Sequence, residues 1–311
     1  GPWRDDRAEF ARSVRHAMTL LPSSLTKVRL WFLQRSPYGD EIDQAAQVPD
    51  LVGASTSGEF EHMDPVSVGL RELGSRLEEL GIYALITPDL FPSGAALTWP
   101  YMQYPHVEFH PCGPDCRWYF SGPRGEDPYV KGLAITREEH YPPGQEDEEE
   151  MHQVLSDEAD EYWGDGAEVL YDHRRPDVFR IRPIAERIIL LLLAFALSLR
   201  RMPSLQNAEL FTWLKWRPSV ERAQEYERSD EVPPTWADGQ TVIFRWGVRY
   251  EAPVVRGNGK GKVTWQVGED WTPEDQVIRA FEDLVGKDEE DMEWTGFEFL
   301  EEREQDGEDY I

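Results

Sequence analysis

The feature that most constrains the fold is a unit that recurs without an obvious repeat: an amphipathic helix, a short break, then a strand whose apolar residues alternate. The clearest copy runs from Asp64 to Ile86. Asp64 and Pro65 form a helix start, Leu70, Leu73, Leu77 and Leu80 follow at helical spacing, and Gly81 stands where a helix would stop. Ile82, Ala84 and Ile86 then alternate with Tyr83 and Leu85, the period of a strand. A chain of such units builds an α/β fold that presents a row of strands, which points to recognition more than to chemistry.

Further units fit the same reading. A helix is expected from about Asp5 to Leu20 and a strand from Thr26 to Leu33, with Val28, Leu30 and Phe32 inward and Lys27, Arg29 and Trp31 outward. Strands are expected at Tyr104–His110 and Leu205–Leu214, the latter after a helix over Arg182–Arg201 that is apolar nearly all round and so belongs in a core. A turn through Cys112–Cys116 predicts a hairpin returning along Arg117–Phe120. Thr241–Tyr250 and Gly261–Val267, joined through Gly257-Asn258-Gly259, read as an antiparallel hairpin extension. Thr272–Gly286 is a capped helix leading to a strand near Trp294–Leu300. One domain spans 3–311, with polar insertions at 34–63 and 137–166, the second dominated by Glu and Asp.

Composition narrows the partners. Hydrophobic residues at 40% and 12 tryptophans are enough to offset the entropy of ordering a chain of 311 residues. The 60 acidic against 32 basic residues give a net charge of −28, which repels nucleic acid and anionic membranes and favours a basic partner. The longest apolar run, Ile188–Leu199, is 12 residues, short of the ~20 that cross a bilayer. Two cysteines argue against a disulfide scaffold and for a reducing interior, cytoplasmic or nuclear. The opening Gly1-Pro2, without methionine, is the kind of end a protease leaves, with room for a native signal or N-terminal domain upstream.

The phrases Leu25-Thr26-Lys27-Val28-Arg29-Leu30, Leu77-Glu78-Glu79-Leu80-Gly81-Ile82 and Leu205-Gln206-Asn207-Ala208-Glu209-Leu210 resemble the strand segment of leucine-rich repeats, with irregular spacing between copies. Together with Trp99-Pro100, Met202-Pro203-Ser204-Leu205 and Phe244-Arg245-Trp246, they make the chain similar to fungal F-box-like proteins whose region after the F-box is a degenerate leucine-rich-repeat domain. No F-box-like helical segment is visible. The resemblance implies a curved sheet of irregular helix–strand units and the substrate-recognition part of an F-box-type protein.

Three sites are candidates. The outward strand face, comprising Arg29, Trp31, Tyr83, His106, Glu108, His110, Glu209, Phe211 and Trp213, has the aromatic and charged character that grips a protein or peptide. An acid–base enzyme of cyclase or isomerase type, acting on an apolar metabolite, would use His106, Glu108 and Glu209. A zinc ion would take His106, His110, Cys112 and Cys116, although their spacing matches no standard module. Nothing implies a cofactor, since a serine nucleophile elbow, a phosphate-binding glycine loop and a dinucleotide fingerprint are all missing.

Overall fold

The structure is a computed structural model, and it describes residues 4–32, 44–45, 49–52, 60, 63–92, 98–127, 133–134, 177–226, 242–257, 259–268, 271–285, 291–296 and 298–299. Its longer helices are α1 (Arg4–Met18), α2 (Pro65–Gly74), α3 (Ala185–Leu199) and α4 (Asp275–Val285), with short helical turns at Pro88–Leu90, Val220–Tyr226 and Pro253–Arg256. The strands are β1 (Lys27–Trp31), β2 (Pro49–Asp50), β3 (Glu79–Ala84), β4 (Tyr104–Phe109), β5 (Phe120–Ser121), β6 (Leu133–Ala134), β7 (Arg182–Pro183), β8 (Asn207–Trp216), β9 (Val242–Glu251), β10 (Lys262–Gln266), β11 (Met292–Thr295) and β12 (Glu298–Phe299).

The main sheet is mixed. Strands β1, β3, β4 and β8 lie side by side and parallel, in chain order. Strand β9 then runs antiparallel to β8 along all ten residues. Its other edge pairs antiparallel with β10 and β12, and β10 pairs parallel with β11. The expected antiparallel extension is therefore present, although the expected last strand is split into two, β11 on β10 and β12 on β9. Two small pairs, β2–β6 and β5–β7, stand apart.

Because strand side chains alternate, one face of this sheet is apolar: Leu80, Ile82 and Ala84 of β3, Val107 and Phe109 of β4, Leu210 and Leu214 of β8, Phe244, Trp246 and Val248 of β9, Val263 and Trp265 of β10. Helix residues Val66, Leu70, Ile188, Leu192, Phe195, Val277 and Phe281 join them in one contiguous core. α1 packs on α2, α3 on α4, and the turn at Pro88–Leu90 bridges α2 and α3. Each large apolar side chain so buried contributes about 1.5–3 kcal/mol.

α2 departs from expectation at its end. Asp64 caps its start, accepting from the Ser67 backbone N–H at 3.0 Å. The helix stops at Gly74, not near Leu80, and the Trp99 indole lies against its last residue: a Cβ on Gly74 would sit 2.6 Å from that ring. The Ser75 hydroxyl donates to the Glu72 carbonyl at 2.7 Å, and Arg76 reaches back to the Met18 carbonyl at the end of α1 and the Pro22 carbonyl beyond it. Leu77 and Leu80, fully buried, reach the same core from a turn and from β3.

Two other expectations change. Within 34–63 the described residues are partly interior: Leu51 and Phe60 are buried, and buried Gln44 accepts the backbone N–H groups of Phe179 and Arg180, both at 2.5 Å. The predicted hairpin arm after Cys116 does not run back along β4. It makes one bridge, Cys112 to Trp118, and then pairs as β5 with β7. Residues 137–166 lie outside the described residues.

Candidate functional site

The face of the sheet opposite the helices is ordered by strand register into rows. One row runs Arg29, Gly81, His106, Glu209, Arg249, Thr264 across β1, β3, β4, β8, β9 and β10. The next runs Trp31, Tyr83, Glu108, Phe211, Gly247, Gln266. Trp213 stands opposite Arg245 beyond it. Seven of the nine residues expected on the outward face, all but His110 and Trp213, thus fall in these two rows. Trp213 is their neighbour.

Glu209 is the electrostatic centre. Its Oε2 lies 2.8 Å from His106 Nδ1 and 3.0 Å from Arg245 Nη2, and its Oε1 lies 3.4 Å from Arg249 Nε. Burial pushes the carboxyl pKa up, but the His106 hydrogen bond and the charges of Arg245, His106 and Arg249 outweigh it and hold the group below the usual glutamate value. Phe211 supports the cluster from beneath: the Arg245 guanidinium lies over its ring at 4.0 Å, and the His106 ring meets it edge-on at 4.8 Å. Gly247 makes this possible, since a Cβ there would fall 2.6 Å from the Phe211 Cβ. At the β1 end, Glu79 takes Lys27 at 3.0 Å and Arg29 at 3.1 Å. Its pKa is lowered, first by the Lys27 hydrogen bond.

The face is not uniformly open. Trp31 is 62% exposed and the His106 side chain 53%, but Glu108 and Phe211 are buried. His110 is also buried, covered from the direction of Trp118, whose ring lies 6.3 Å away. Its Nδ1 accepts the Cys112 N–H at 3.0 Å, and burial pushes its pKa down to about 4. His110 is thus a neutral interior residue at neutral pH, and not part of a surface.

Cys112 and Cys116 are free and buried, and the Cys112 thiol donates to the Gly113 carbonyl at 3.4 Å. Burial raises the Cys112 thiol pKa, which keeps it protonated. Among the described residues no group of three or more His, Cys, Asp or Glu side chains is placed to hold a metal ion. The considered zinc set is therefore not assembled: His106 is spent on Glu209 and His110 on the Cys112 backbone.

Sequence reading missed Arg245, Arg249 and Gln266. The signal was present, because the alternation that sends Phe244, Trp246 and Val248 inward must send Arg245 and Arg249 outward. What no local pattern carried was that β9 lies beside β8. No protein-family model matches the chain, and no curated protein or solved structure matches it either.

Proposed function

We propose that this chain is a non-catalytic binding module that holds a protein or peptide segment on the open face of its sheet, as the substrate-recognition part of an F-box-type protein would. The observation that carries the reading is the register itself: five strands bring Arg29, Trp31, Tyr83, His106, Trp213 and Arg249 onto one surface, with the described helices packed on the other side. The run of parallel strands in chain order supports an irregular leucine-rich-repeat-like sheet. The net charge of −28 draws a partner of basic character from a distance. The face itself is nearly balanced, with Lys27, Arg29, Lys215, Arg245, Arg249 and Lys262 against Glu79, Glu108, Glu209, Glu251 and Glu293, so short-range pairs would set the register of what binds.

The second reading, an acid–base enzyme on an apolar metabolite, is favoured by one observation, the His106–Glu209 pair at 2.8 Å. Against it, Glu209 is held deprotonated by its cations and Glu108 is buried. The test compares the proteins retained by wild type, by Trp213→Ala with Arg249→Glu, and by Leu190→Ser on the exposed side of α3. Partners lost only with the first variant support face binding. Partners kept equally by all three overturn it, and a small molecule retained in native mass spectrometry and lost in His106→Ala would favour the enzyme.

A further inference from the structure

Strand β1 ends the strand order of the main sheet, and among the described residues its outer edge is a free hydrogen-bonding template. Phe32 donates its backbone N–H to the Tyr83 carbonyl, and Glu79 donates to the Thr26 carbonyl, so the even-numbered residues of this segment face β3. By alternation, the backbone N–H and C=O groups of Lys27, Arg29 and Trp31 point away from the sheet. Among the described residues, none of these groups has a backbone partner beyond β1. Natural proteins guard such edges with charged side chains, and Lys27 and Arg29 stand on this one.

The side chains around this edge define what fits it. On the helix side, Val28 and Leu30 are half-buried and Phe32 is 38% exposed, its ring against Phe10 at 5.0 Å, so an added strand would find an apolar strip. On the other face, Lys27 and Arg29 share one carboxylate among the described residues, Glu79, so two cations stand against one anion beside the exposed Trp31. Like charges across a strand pair repel, so this edge rejects a basic strand and also a second copy of itself. The same two cations favour a strand with carboxylates at alternate positions.

We infer that β1 takes an added strand: an extended segment of a partner, apolar on the side toward α1 and carrying Glu or Asp on the side toward Arg29, bound mainly through the outward backbone groups of Lys27, Arg29 and Trp31. This goes beyond the proposed use of the sheet face and does not depend on it, because an edge can accept a strand whatever the face holds. The remainder of such a partner is free to be basic, as the net charge of the chain favours.

The test uses the full chain and a capped synthetic peptide of about eight residues alternating valine and glutamate, a typical strand length. The expected result is that the peptide slows hydrogen exchange across 26–32 by at least about tenfold, and that a matched peptide with lysine in place of each glutamate binds at least about fivefold more weakly. Arg29→Pro removes one outward N–H without touching the β1–β3 ladder and should abolish protection. Arg29→Ala keeps the N–H and should weaken binding only about threefold. Unchanged melting temperatures would verify that both variants are folded. Absence of protection at millimolar peptide overturns the proposal. So does equal loss in the two variants, because binding would then depend on the guanidinium and not on strand addition. Equal binding of the lysine peptide overturns the assigned partner chemistry. Trp213→Ala with Arg249→Glu should leave peptide binding intact, which separates this edge from the face.

Discussion

Arg7 grips Asp64 across 57 positions of sequence with two hydrogen bonds, Nε to Oδ1 at 2.9 Å and Nη2 to Oδ2 at 2.8 Å, and both side chains are buried. The same carboxylate takes the Ser67 hydroxyl at 2.6 Å, and Arg7 also donates to the Leu85 carbonyl at 3.0 Å. One ion pair thereby joins α1, the start of α2 and the chain just beyond β3. Removing either partner strands a buried charge, so Arg7→Ala or Asp64→Ala should cost about 3–5 kcal/mol. Glu72→Ala, which breaks the partly exposed pair with Arg15, should cost no more than about 1 kcal/mol. Denaturant midpoints would check this, and equal losses would refute the ranking.

Glycines should rank by what surrounds them. An added Cβ on Gly247 meets the Leu210 carbonyl oxygen at 2.4 Å, backbone that cannot step aside, so Gly247→Ala should cost about 3 kcal/mol or more. Gly259 has φ +76 with open space around it, and Gly259→Ala should cost about 1–2 kcal/mol from conformation alone. A Cβ on Gly81 first meets the exposed Arg29 side chain, at 3.1 Å, and Gly81→Ala should lie within about 1 kcal/mol of wild type. Thermal unfolding of the three variants would show the order.

Acidification should act first through His110. Its folded pKa, about 4, lies below the ordinary 6.5, so the unfolded chain binds more protons in between and stability falls as the pH drops through that window. His110→Gln removes the titration, and the gap between wild type and variant should shift by roughly 3 kcal/mol between pH 7 and pH 4. Glu209 acts at more acidic pH. Its lowered folded pKa means its contribution is complete above the ordinary 4.5 and is lost as pH falls through the folded value. Glu209→Gln should therefore lose stability at neutral pH and converge on wild type in acid. Urea titrations across pH would reveal either trend.

Phe195 of α3 sits between Phe91, ring centroids 5.3 Å apart, and Phe281 of α4, 6.3 Å apart. Phe195→Ala should cost about 3–5 kcal/mol. Leu197→Ala, on the exposed side of the same helix, should be near neutral, and a comparable loss in both would show that the helix packs differently.

Strand parity was the most legible property of this sequence. The alternation in β3, β8, β9 and β10 assigned inward and outward residues correctly, because the described helices pack on one face and bury the alternate side chains there. Helix length was less legible. Leu70, Leu73, Leu77 and Leu80 keep helical spacing straight through a turn, because all four serve one core from a helix, a turn and a strand in succession. Burial of Glu108 and His110 was illegible, as was the Gln44–Arg180 contact. Each depends on segments far apart in sequence, and outward parity carries no record of what folds over a strand.

The reversal at β9 makes the two borders of the sheet unequal. A helix–strand unit placed before β1 would find a parallel neighbour and a helix layer already running alongside it. The same unit inserted between β8 and β9 would have to break an unbroken ten-residue ladder and set its strand against the wrong polarity. A whole unit can therefore be added to this architecture at the β1 border at least cost, with the β8–β9 seam as the fixed end from which the rest is counted.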